Sequence, residues 1–415
     1  MLGALVTAMM VGLDTDNTVT YQAFALLLSW LLVAVAFSWF FRARFLATRL
    51  LPRFGTAGCP FSYRVVVKNL TPKNQGGLTL LENLADSRPS FQDWRAVQLA
   101  SQQRVRSFRF GERRRAASFK LAVAREATVP SAPSRQDVEV CAELTPLRRG
   151  VLRFSGVTIA RSDPFGLFRA FARIPLPQTM LILPKCYPLP PIALPGTQKY
   201  QEGGVALAAN VGQSDEFVAL RDYRRGDPLR HIHWRSWARA GKPVVKEFED
   251  EFFVRHALVL DTFLDCNHSE LFEEAVSVAS SFACTITTQE SLLDLLFVGP
   301  QAFCFTAGRG LAHADQMLEI LASVHACHDR PFRTLEHLVL NHVKVVSGCI
   351  CVLLAWDDER RAFVEKLRAL GVPVLVMVIV PPGRGKLLEP GPLRDEPDRF
   401  HALEAGRIEE GLAKL

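Results

Sequence analysis

Residues 348–380, GCICVLLAWDDERRAFVEKLRALGVPVLVMVIV, set the architecture of the C-terminal half. Gly348 to Trp356 is an apolar run of strand length. Asp357 to Leu370 then carries its apolar residues at helical spacing until Gly371 stops it. Val372 to Val380 is apolar throughout, the pattern of a strand buried on both faces.

The same alternation continues upstream. His256 to Leu260 reads as a strand ending in Asp261. Between Glu270 and Thr288, Leu271, Ala275, Val278, Ala279, Phe282 and Ile286 keep helical spacing. Leu292 to Val298 predicts another strand and Leu311 to His325 another helix. The expectation is a C-terminal α/β domain of Rossmann type over 215–381, a parallel sheet with helices on both faces, followed by a tail, 382–415. Ligands of such sheets gather at the carboxyl ends of the strands. Asp261 with Asp265, and Asp357 with Asp358, stand at two such ends, where carboxylate oxygens would hold a hard divalent cation. Asp357 also lies directly before a helix, and capping is the preferred reading for it.

Ahead of this domain the period changes to two. In Ser62 to Leu70, SYRVVVKNL, Tyr63, Val65 and Val67 alternate with Arg64, Val66 and Lys68. Val105 to Phe110, Phe119 to Val123, Val138 to Leu144 and Val151 to Ile159 predict further strands, so a β-sandwich-like domain is expected over 57–185. Pro175, Pro177, Pro184, Pro188, Pro190, Pro191 and Pro195 remove amide donors. They read as the end of the sandwich, leading into a Pro/Gly-rich linker over 186–214.

At the front, Tyr21 to Phe41 is 21 residues without a charge. As a helix that is roughly 31 Å, the thickness of a bilayer's hydrocarbon core. Arg42, Arg44, Arg49 and Arg53 follow it, which by the positive-inside rule places the rest of the chain in the cytoplasm. A membrane anchor is therefore expected over 1–43, as one transmembrane helix or as a hairpin with the shorter apolar run Leu2 to Leu13.

The 415 residues, 49% hydrophobic and 22% charged, exclude a collagen-like or low-complexity chain. Nine cysteines, an odd set without a CxxC pair, read as reduced thiols, and Cys349 with Cys351 are too few for zinc. The net charge of +7 has an address, because Arg104 to Arg153 holds twelve basic and five acidic residues. Solvated strand faces are the preferred reading, with anionic lipid as the alternative. Nucleic acid is not expected, since no recognition signature accompanies the charge.

Between the two domains runs Asp215 to Glu251, DEFVALRDYRRGDPLRHIHWRSWARAGKPVVKEFEDE. Arg221, Arg225, Arg230, Arg235 and Arg239, with Asp222 and Asp227, are of the types that form fork-and-carboxylate networks. Tyr223, Trp234 and Trp237 among them are also of the types enriched at binding hot spots. His231 and His233 lack a third ligand and read as hydrogen-bonded imidazoles. GxSxG, HExxH, GxxxxGK[ST] and strand-linked GxGxxG motifs are absent, so the chain is not expected to be an enzyme.

That segment resembles the signature of the bacterial family catalogued as domain of unknown function 58. The resemblance rests on Phe217, Leu220, Arg221, Tyr223, Gly226, Asp227, Arg230, Ile232, Trp234, Ala238, Arg239, Val245, Lys246, Phe248, Glu249 and Glu251. A second match lies in LRRGVLRFSGVTIARSDPFGLFR, at Arg149, Gly150, Asp163, Pro164, Phe165, Gly166, Leu167 and Phe168. The resemblance implies a membrane-anchored protein of the bacterial inner membrane with a cytoplasmic domain similar to von Willebrand factor A, encoded beside a MoxR-type AAA+ ATPase. The metal site of such domains follows D-x-S-x-S, and here Asp261, Thr262, Phe263, Leu264 and Asp265 put phenylalanine where a hydroxyl is needed. Mg²⁺ is therefore not expected to bind well, if at all, and no other cofactor is expected. The leading expectation is a non-enzymatic adaptor or scaffold docking the MoxR-type ATPase or its client protein. The alternative is a metal-dependent hydrolase using Asp261, Asp265 and Asp357 with His231 or His233.

Overall fold

The computed structural model describes residues 18–39, 41, 44–85, 120–190, 200–201, 217–224, 229, 232–248, 252–253, 255–264, 270–286, 292–307, 311–385 and 388–415. The predicted strand at Val105 to Phe110 and the apolar run Leu2 to Leu13 lie outside them. The chain divides into two compact units, Met1–Pro184 and Lys185–Leu415.

The first unit opens with helix α1 (Thr18–Trp39), followed by β1 (Phe45–Leu50), β2 (Phe54–Thr56), β3 (Phe61–Asn69) and β4 (Leu78–Leu84). Then come β5 (Ala122–Ala124), β6 (Ala127–Val129), β7 (Asp137–Pro146), β8 (Gly150–Ser162) and β9 (Arg169–Leu183). Within α1, Gln22–Trp39 has a mean hydropathy of 1.8 and is long and apolar enough to cross a membrane.

Two sheets, ordered β1-β3-β7-β5 and β2-β9-β8-β4-β6, share one core that includes Val65, Val67 and Val140 from the first and Leu80, Phe154 and Ile159 from the second. The burial of β1 alternates strictly, because one pleat face meets the core and the other meets solvent. The sandwich starts earlier than position 57, since β1 pairs with β3 from Phe45↔Asn69 to Leu50↔Arg64.

Two sequence readings are corrected in this unit. Arg49, counted among the basic residues flanking the anchor, is a core residue. It pairs with Glu82 at 2.6 Å, both side chains are fully buried, and its guanidinium lies 4.4 Å from the Phe154 ring centroid. Pro175 and Pro177 do not end the sandwich but lie within β9. Strand β9 tolerates them because the register slips between Phe154 and Gly156 opposite this stretch, while β2 pairs with β9 only from Leu181 to Leu183.

In the second unit the short strands β10 (Tyr200–Gln201) and β11 (Phe217–Asp222) precede helix α2 (Trp234–Ala240), β12 (Val244–Phe248) and β13 (Phe252–Phe253). The main sheet and its helices follow as β14 (Arg255–Leu260), α3 (Glu270–Ile286), β15 (Leu292–Val298), β16 (Ala302–Ala307), α4 (Leu311–Ser323) and α5 (Arg333–His342). They continue with β17 (Gly348–Leu353), α6 (Asp358–Ala369), β18 (Val374–Val380), β19 (Phe400–Glu404) and α7 (Ile408–Leu412).

The sheet runs β16-β15-β14-β17-β18-β19, parallel except for the antiparallel edge strand β16. Counted from β14, that is the doubly wound order 3-2-1-4-5-6. One face packs Leu258, Leu295 and Met377 against α3, α4 and α7, and the other packs Val259, Cys351 and Val378 against α5 and α6. Alternate residues of each strand thus enter different cores, so the strands are apolar throughout.

The predicted domain limits also change at both ends of this unit. The start of the predicted linker packs onto the domain. Tyr187 is buried, its amide donates to Ser281 Oγ at 2.7 Å, and Cys186 Sγ lies 3.3 Å from Cys284 Sγ. The predicted tail supplies β19, parallel to β18 from Val376↔Phe400 to Val380↔Glu404, and α7, so the domain extends beyond position 381.

Candidate functional site

The switch point of the sheet lies between β14 and β17, where the connections leave in opposite directions and a crevice forms at the carboxyl ends. Asp261 follows β14 there and Asp357 precedes α6. The structure brings these two predicted residues together, and it does so through Arg360. Arg360 Nε donates to Asp261 Oδ2 at 2.6 Å and Nη1 to Asp357 Oδ2 at 2.5 Å. The amides of Phe263 and Leu354 donate to Asp261 Oδ1 and Oδ2, both at 3.0 Å. Asp357 caps α6 as expected, its Oδ1 accepting the Arg360 amide at 3.0 Å. The guanidinium also lies 4.7 Å from the Phe332 ring centroid. Burial alone would lower the Arg360 pKa, but the Asp261 and Asp357 carboxylates outweigh it and hold the guanidinium protonated.

This donor set does not fit a divalent cation. Both Asp261 oxygens are engaged by amides and a guanidinium, Phe263 offers no side-chain oxygen, and the Thr262 hydroxyl donates to the Val298 carbonyl at 2.5 Å. The positive charge that would balance the carboxylates comes from the protein itself. Asp265, the remaining predicted ligand, lies outside the described residues. Among the described residues no group of three His, Cys, Asp or Glu side chains is placed to hold a metal ion. The buried pair Cys349 and Cys351 does not offer ready thiolates either, because burial pushes the Cys349 thiol up to about 12 and raises that of Cys351 as well.

A second charged cluster, not anticipated from the sequence, sits at the amino ends of the same strands. Asp294, fully buried in β15, accepts Arg255 Nε at 2.6 Å and Nη2 at 3.0 Å, and its Oδ2 lies 2.6 Å from His342 Nε2. Arg255 Nη2 also donates to Thr306 Oγ1 at 3.1 Å. The sequence signal was a single acid inside the apolar run LLDLLFV, since a buried carboxylate requires a partner.

The signature segment forms an antiparallel pair, β11 with β12, from Phe217↔Phe248 to Asp222↔Val244, with α2 in the connection. The Tyr223 amide donates to the Pro243 carbonyl and the His233 amide to that of Val244, which closes the loop onto β12. Ile232, Val244 and Val245 are buried beneath, whereas α2 has no buried residue. Trp234 is 65% exposed and stacks on Trp237 with centroids 5.2 Å apart.

Among the described residues, Asp222 pairs with Lys242 at 2.7 Å. Arg221 Nη1 donates to the Asp222 carbonyl at 3.3 Å, and Lys246 lies within β12. Arg235 and Arg239, both exposed on α2, make no ion pair among the described residues. Asp227, Arg230, Glu249, Arg225 and His231 lie outside the described residues, and His233 Nδ1 is 2.7 Å from Ser236 Oγ.

The second motif, Asp163, Pro164, Phe165 and Gly166, forms the turn between β8 and β9. Asp163 Oδ1 accepts the Phe168 amide at 2.7 Å and Oδ2 the Phe165 amide at 3.0 Å. Gly166 has φ +67°, the left-handed region that favours glycine. Burial alone would raise the Asp163 carboxyl, but the amides of Phe168, Phe165 and Leu167 turned onto it hold it below the ordinary carboxylate value. Asp163→Ala is expected to raise the exchange rate of the Phe168 amide about tenfold, because that donor loses its charged acceptor. Hydrogen-exchange mass spectrometry of peptides covering 160–172 reads this directly, and unchanged protection would refute it.

Comparison with known proteins agrees with the motif reading. Residues 219–378 match the family model described as "Protein of unknown function DUF58". "Uncharacterized protein YeaD" of Bacillus subtilis (strain 168) is 28% identical over 185 residues, 44% of this chain. The match spans 45% of that relative's own length, less than half. Among solved structures, the ASH / PapD-like domain of human CEP192 covers 33% of the chain and 85% of that domain, at 9% identity and a TM-score of 0.17. The cohesin module of a family 33 glycoside hydrolase from Clostridium perfringens covers 34% of the chain and 97% of the module, at 8% identity and a TM-score of 0.15. Likenesses this slight carry no argument about fold or function. Through the match at 219–378, which takes in most of the signature segment, this part of the chain is similar to the DUF58 family.

Proposed function

We propose that the chain is a non-enzymatic, membrane-anchored adaptor of the bacterial inner membrane. Its C-terminal domain, similar to von Willebrand factor A, faces the cytoplasm and docks a MoxR-type AAA+ ATPase or that ATPase's client. The doubly wound sheet with one antiparallel edge suits such a domain, and α1 suits the anchor. The observation that carries the reading is the surface of α2. A stacked tryptophan pair and two exposed arginines, Arg235 and Arg239, stand on a seven-residue helix with no buried side chain. Exposed tryptophan and arginine are the side chains that most often dominate binding energy.

The test is recovery of the ATPase on detergent-solubilised full chain carrying Trp234→Ala or Arg239→Ala, with exposed Lys344→Ala as a surface control. Each of the first two is expected to weaken binding by roughly thirtyfold, the size of a 2 kcal/mol hot spot. Equal recovery from variants with unchanged circular dichroism would overturn the docking face.

A further inference from the structure

The turn between β8 and β9 reaches the apolar helix. Trp30, Ala34 and Phe37 follow one another at spacings of four and three, one face of α1, and Phe41 lies just beyond its end. Trp30 stacks on Phe165 with ring centroids 5.7 Å apart, Ala34 is fully buried, and the Arg161 guanidinium lies 4.6 Å from the Phe37 centroid and 5.9 Å from that of Phe41. The hairpin therefore runs alongside α1. Arg161 is level with the end of the helix and Phe165 with Trp30, about 10 Å further along at 1.5 Å per residue. Elsewhere on the described part of the helix, Leu26, Leu32, Val33 and Val35 are exposed. Beside it Phe165 is 45% and Phe168 39% exposed.

We propose that the Asp163–Phe168 turn is a second membrane contact, with Phe165 and Phe168 meeting the acyl chains of an anionic phospholipid bilayer beside α1. The proposal rests on the reading of α1 as a membrane anchor. A loop enters lipid only if its backbone polar groups are satisfied internally, and this one meets that condition for its donors. The Asp163 amide donates to the Phe168 carbonyl and the Gly166 amide to the Asp163 carbonyl, both at 3.0 Å. Pro164 has no N–H, and the amides of Phe165, Leu167 and Phe168 turn onto the Asp163 carboxylate.

The basic charges are set back from the tip, where long side chains reach phosphate. Arg161 lies by the helix end, and Arg169 pairs with Glu126 at 3.1 Å. The lipid that must cover the exposed flank of α1 covers the phenylalanines next to it.

The test uses the full chain in nanodiscs of phosphatidylethanolamine and phosphatidylglycerol, with p-benzoylphenylalanine replacing Phe165, Phe168, Leu32 or Val123 in separate preparations. Val123 is equally exposed, on β5 of the sandwich. After irradiation, mass spectrometry is expected to find phospholipid adducts at 165, 168 and 32 and none at 123. The probe at 168 leaves the Trp30–Phe165 stack intact. Lipid at 32 without lipid at 165 and 168 overturns the proposal and leaves the anchor standing, whereas no lipid at any position overturns the anchor reading itself. Adducts to protein at 165 and 168 in place of lipid, or lipid at 123 as readily as at 165, also overturn the proposal.

Discussion

Arg360→Ala is expected to destabilise the C-terminal unit by about 3–5 kcal/mol, the usual consequence of stripping one partner from a buried ion pair. Asp261 has no exposure of its own, and without the guanidinium its charge would be left with two amide donors in a dry site. Asp357 would lose less, because its side chain is 48% exposed and water replaces the lost contact. The loss should show as earlier exchange of peptides covering 255–260 and 348–353 along a urea series.

Adding Asp261→Asn to Arg360→Ala removes the orphaned charge, so the double variant should lose less than the sum of the two single losses. Strict additivity would mean that the two side chains are not coupled. The same experiment separates an internal cation from a vacant metal site. Mg²⁺ should not restore the stability of Arg360→Ala, and full restoration by millimolar Mg²⁺ would contradict the assignment.

The second large effect concerns acid. Burial alone would raise the Asp294 carboxyl, but the hydrogen bonds from His342 and Arg255 and the Arg255 charge together hold it below its ordinary 3.8. A carboxylate with a depressed folded value binds fewer protons in the native state than in the unfolded one. Its contribution is complete above pH about 5 and disappears as the pH falls through the folded value. Asp294→Asn is therefore expected to cost about 2–3 kcal/mol at pH 7, the worth of charge-assisted hydrogen bonds, and less as the pH drops below 3.8. Arg255, His342, Thr306, Cys304 and Cys349 are the polar or titratable groups around this carboxylate, and none of them is altered in the comparison. Urea midpoints of the full chain at pH 7 and pH 3.5 check it. A gap between the two proteins that is equally wide at both pH values would refute the linkage.

Much of the second unit was legible in the chain because each of its central strands is buried on both faces. GCICVL and VLVMVIV have no solvent side, so their composition names them whatever the topology. Strand β19, FHALE, was not legible, because only Leu403 in it is buried and pairing with β18 rather than composition makes it a strand. Pro175 and Pro177 misled for a related reason. A proline forbids a paired amide, and whether the amide at that place needs a partner is settled by the slip in register, which is a property of two strands together.

The candidate site divides along the same line. That Asp357 caps a helix was readable from its neighbours, because a cap is a contact over three residues. That Arg360 bridges it to Asp261 was not, since 99 positions separate the two ends of that hydrogen bond. Written out, Arg360 is one more basic residue on a charged helix. Periodicity and local chemistry, which act over a few residues, marked the apolar helix, the double-faced strands, the cap and the family signature. Which charges are buried, what neutralises them, and that Trp234 stands in solvent while Arg49 lies in a core depend on contacts between distant segments, and those exist only once the chain has folded.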